Sequence, residues 1–76
     1  MDEETFNLEI RKFLKRFGVT AQREIEKAVD DALTAGRIGS TDVLPVRATL
    51  TIPGVLEDLH IDGEIALGDS TRGASG

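Results

Sequence analysis

The hydrophobic period changes once along this chain, and that change limits the fold more than any other feature. Up to Gly36 the apolar residues recur at helical spacing, and from Val46 onward they alternate. A period of 3.6 belongs to a helix and a period of 2 to a strand, so the chain reads as α+β with helices first. Phe6, Ile10, Phe13, Leu14 and Phe17 fall at i, i+4, i+7, i+8 and i+11, one narrow stripe that holds all three phenylalanines. Arg11, Lys12, Lys15 and Arg16 occupy the other side, and Asp2, Glu3 and Glu4 stand at the start, where the helix dipole favours anions. The cations would complete the same dipole pattern in the last turn. Leu8 projects away from the stripe. Gly18 follows Phe17 where a left-handed glycine commonly ends a helix, and Thr20 reads as the N-cap of the next one. Ala21, Ile25, Ala28, Val29, Ala32 and Leu33 form a second stripe, with Gly36 in the C′ position. The expectation is two antiparallel helices, about 3–17 and 20–35, made neighbours by a short turn.

Residues 36–45 are rich in Gly, Ser, Thr and Asp and read as a loop. Val46, Ala48, Leu50 and Ile52 then alternate with Arg47, Thr49 and Thr51, which predicts a strand over 46–52. Ile61, Gly63, Ile65 and Leu67 alternate with His60, Asp62, Glu64 and Ala66, which predicts a second over 60–67. Antiparallel pairing of Ile52 with Ile61, Leu50 with Gly63, Ala48 with Ile65 and Val46 with Leu67 would leave one face apolar and the other polar. Val55, Leu56 and Leu59 lie in the connection and are expected to fold over an open end of the core. The predicted architecture is α-α-β-β, two helices on one face of an antiparallel hairpin, in a single domain over 1–67. The polar residues 68–76 are expected to be a disordered tail. A two-stranded sheet is marginal alone and has two open edges. Pairing edges between two chains would relieve both problems, so a homodimer is expected.

Composition narrows the function. There is no cysteine, hence neither a disulfide framework nor a thiolate metal site. No apolar run approaches the length of a membrane span, and the acidic start, Met1 to Glu4, lacks the features of a targeting peptide. A cytoplasmic protein with no membrane association is the expectation. The segments Ile10-Arg11-Lys12-Phe13-Leu14-Lys15, Gly18-Val19-Thr20-Ala21-Gln22-Arg23-Glu24-Ile25-Glu26, Leu44-Pro45 and Ile61-Asp62-Gly63-Glu64-Ile65 together resemble a family of short, mostly proteobacterial proteins known only as a domain of unknown function. The resemblance spans about residues 5–67. It implies no activity, cofactor or site residue.

Three constellations carry chemistry. His60, Asp62 and Glu64 share one strand face, and an imidazole with two carboxylates could hold a divalent metal; that face is also the one expected to meet solvent. Helix, Gly-Val-Thr and helix resemble a helix-turn-helix, and Arg11, Lys12, Lys15 and Arg16 could touch phosphates. Against this, the would-be recognition helix carries Glu24, Glu26, Asp30 and Asp31, and a polyanion needs cations on the docking face. Leu8, Val55, Leu56 and Leu59 are the candidates for contact with a partner or a second copy. There is no nucleophile elbow and no phosphate-cradling loop. The reading is a non-catalytic interaction or accessory module without a cofactor, homodimeric or bound to a protein partner, with weak nucleic-acid binding as the alternative.

Overall fold

The computed structural model describes residues 1–68, in two compact units that divide between Arg37 and Ile38. The first unit is one helix and the second is one hairpin; the predicted tail lies, but for Gly68, outside the described residues.

Helix α1 runs without a break from Glu3 to Thr34, 32 residues. Asp2 caps it: one carboxylate oxygen accepts from the Glu4 and Thr5 N–H groups at 3.0 and 3.2 Å, and the other accepts from the Thr5 hydroxyl at 2.9 Å. Glu3 and Glu4 follow in the first turn, where the dipole favours them. At the far end Gly36 takes φ +76°, its N–H donates to Leu33 O, and Arg37 N–H donates to Ala32 O at 2.9 Å. That pair of bonds is a Schellman stop, with glycine at C′ as read from the sequence.

The predicted break at Gly18 does not occur, so two helices become one. Gly18 keeps a negative, helical φ, and Thr20 is an interior helical residue rather than a cap. Glycine inside a helix costs about 1 kcal/mol relative to alanine. Breaking there would forfeit several backbone bonds and require a second nucleation, which is the unfavourable step in helix formation. The apolar pattern also crosses Gly18 in phase: Phe17, Ala21 and Ile25 are successive i+4 neighbours, so one stripe serves both halves. Lys15 and Arg16, expected in a last turn, therefore sit mid-helix. The true last turn has no basic residue.

In the second unit β1 (Val43–Ile52) pairs antiparallel with β2 (Leu56–Ala66). The connection is far shorter than expected. Val55 N–H donates to Ile52 O at 2.8 Å, closing a four-residue turn with Pro53 second and Gly54 third. Gly54 has φ +78°, the sign a type II turn demands at that position. The register moves accordingly: Leu50 faces Leu59, not Gly63, and Ala48 faces Ile61, not Ile65. The displacement is an even number of residues, so the apolar and polar faces are those predicted. Leu56 and Leu59 are strand residues opposite Ile52 and Leu50 and not a lid, while Val55 is the closing residue of the turn.

Leu56 and Leu59 are three apart and reach the same face only through an extra residue between them. The ladder slips between Leu50 and Ile52, and opposite that slip Asp58 takes φ +55°. The Thr51 hydroxyl holds it there, donating to the Asp58 carboxylate at 2.8 Å and accepting from the Asp58 N–H at 3.3 Å. This is a β-bulge that corrects the alternation. At the other end Leu67 N–H donates to Asp42 O at 2.9 Å. A Cβ on Gly68 would lie 2.9 Å from the Thr41 Cα, so only glycine fits that approach.

Candidate interaction surface

The polar face of the hairpin is a ladder of cross-strand pairs. The Thr49 hydroxyl and His60 Nδ1 are hydrogen-bonded at 3.0 Å, and Arg47 Nε donates to Asp62 at 2.7 Å. Glu64 stands opposite Pro45. His60, Asp62 and Glu64 thus share a face as the spacing required, but His60 and Asp62 are engaged across the sheet. Among the described residues no group of three or more His, Asp and Glu is disposed to hold a metal ion. The depression beside Gly63, lined by Pro45, Val46, Arg47 and Asp62, is shallow and already spanned by the Arg47–Asp62 pair.

The basic residues Arg11, Lys12, Lys15 and Arg16 are all exposed on α1. Among the described residues, Lys12–Glu9, at 3.3 Å, is the ion pair within α1. Continuity through Gly18 removes the turn on which the helix-turn-helix reading depended. Leu8 is 53% exposed and lies away from the stripe, on the side where Val19, eleven residues on, is also 53% exposed.

The larger surface is the stripe itself. Ala32 is the one buried apolar residue among those described, and no large side chain is fully buried. Phe6, Phe13, Leu14 and Phe17 are about half exposed, Ile10 39% and Ile25 37%. Soluble chains rarely leave a contiguous apolar face of this kind open. The residues on it were named in the sequence as core. The signal for this surface in the sequence is the phase match across Gly18, which makes two short stripes one long one.

Residues 1–68 match a family described as a family of unknown function, DUF6494. The chain belongs to that family. Comparison with curated proteins and with solved structures returned no match. The family match ends at Gly68, the last described residue, so the helix and the hairpin both lie within what the family shares. No helix among the described residues is long and apolar enough to cross a membrane.

Proposed function

We propose that this member of the family is a non-catalytic association module that works by seating the α1 stripe against another helix. The exposure of Phe6, Ile10, Phe13, Leu14 and Phe17 along a 32-residue helix carries the reading. Most helical stability in proteins comes from burying an amphipathic face, not from propensity. A hairpin of two strands is equally marginal alone. Edge-to-edge pairing of two hairpins is a second route to association, favoured by strands of 10 and 11 residues whose outer edges meet no third strand among the described residues.

A photo-crosslinking residue at Leu14, on the stripe, tests the proposal beside the same residue at Lys12, on the opposite side of α1. A discrete crosslinked product in intact cells from Leu14 and none from Lys12 is the expected result. Equal crosslinking from both positions, or none from Leu14, would overturn it.

A further inference from the structure

We infer that the occupant of the α1 stripe is a second copy of this chain, running antiparallel with its two-fold axis at Ala21; this rests on the association reading above. On the part of the stripe that is not buried, Leu14, Phe17, Ala21, Ile25 and Ala28 are symmetric about Ala21. Reversing the helix about that point sets Leu14 beside Ala28, Phe17 beside Ile25 and Ala21 beside Ala21. Leu14 thus meets Ala28 at each end of the seam, and Phe17 meets Ile25 on either side of the Ala21 pair. Large side chains face small ones at the ends, and bulky pairs flank the close contact at the axis. A parallel pair would set Phe17 on Phe17 and Leu14 on Leu14, and would leave a void between Ala28 and its copy. The same positions repeat every eleven residues, 14 to 25 and 17 to 28. An eleven-residue repeat follows the natural helical pitch closely, so the stripe keeps to one side of a nearly straight helix.

Charge points the same way. Residues 11–16 carry four cations, and in the antiparallel register they lie level with residues 26–31 of the second copy, which carry Glu26, Asp30 and Asp31 against Lys27. In a parallel pair the four cations would lie level with their own copies. These groups flank and back the seam rather than touching across it, so they select direction through the field and add little per pair. The arrangement also supplies what α1 lacks. Asp30 and Asp31 stand at a C-terminus with no basic residue in its last turn, where the dipole disfavours anions. Arg11 and Lys12 of the second copy would lie level with them.

The chain has no cysteine, so single-cysteine variants report the pairing cleanly. Light scattering should give twice the 8.2 kDa chain mass, falling toward the single-chain value on dilution. Under mild oxidation Ala21→Cys should form a covalent dimer by itself. Leu14→Cys and Ala28→Cys should each remain single but join when mixed. Leu14→Cys crosslinking alone as fast as in the mixture would overturn the antiparallel register. A mass of 8.2 kDa at every concentration with no crosslink would overturn self-pairing. In that case a Leu14 photoadduct to a foreign protein would leave the association reading standing.

Discussion

Gly18 and Gly36 were read alike from sequence, as glycines that end helices, and the structure separates them with a testable difference of sign. Gly18 lies inside α1 with a helical φ, and a Cβ built on it meets nothing within 4 Å. Gly18→Ala therefore removes the backbone entropy cost of glycine without a clash, and should stabilise the helix by about 0.8–1 kcal/mol. For a domain of this size that raises Tm by roughly 4–8 °C. Gly36 also has open space around its Cβ position, but its φ is +76°. Alanine there is forced into the left-handed region, at about 1–2 kcal/mol, so Gly36→Ala should lower Tm by a similar or larger amount. The assay is thermal melting followed by far-ultraviolet circular dichroism, on proteins shown by light scattering to have the same mass. A fall in Tm or in helical signal for Gly18→Ala would refute the continuous helix, because a glycine that breaks a helix cannot be replaced without strain.

Four further outcomes are expected. Thr51→Val leaves the Asp58 N–H and carboxylate without their partner and should cost about 1 kcal/mol in urea unfolding; Asp58→Gly, which keeps the left-handed backbone, should cost less than Asp58→Ala. Gly54→Ala should destabilise the hairpin by about 1 kcal/mol, since the third turn position requires its positive φ. The Asp2 carboxyl is held below its ordinary value of 3.8 by the Thr5 backbone N–H first and then by the Thr5 hydroxyl, with the Glu4 N–H adding to them against slight desolvation. A lowered folded-state pKa gives stability that is present above the ordinary value and lost as pH falls through the lowered one; helicity should accordingly show an acid step below that value which Asp2→Ala lacks. Retention of the full chain on mixed DNA and RNA should stay at background, and unchanged when Arg11, Lys12, Lys15 and Arg16 are reversed in charge; a salt-dependent signal lost on reversal would count against the association reading.

What the sequence by itself determined was the type of each element, the apolar and polar faces over residues 46–52 and 60–66, and the ends of the helical unit. Those follow from local rules: period, an acidic residue before the first turn, and glycine after the last. Asp2, Gly36 and the alternation of Val46 to Ile52 with their polar neighbours were all legible for that reason. The candidate surface was only half legible. Phe6 to Phe17 and Ala21 to Ala32 were visible as stripes, but the sequence assigned them to two packed helices and so to a core. Whether a glycine ends a helix depends on a balance of about 1 kcal/mol against hydrogen bonds on both sides of it, and no single position records that balance. Register was likewise out of reach, because the bonds that hold the Asp58 bulge reach Thr51 on the other strand and exist only once the strands have met. Local chemistry chose the elements; the continuity of α1 and the pairing of β1 with β2 were decided by interactions that form only in the assembled structure.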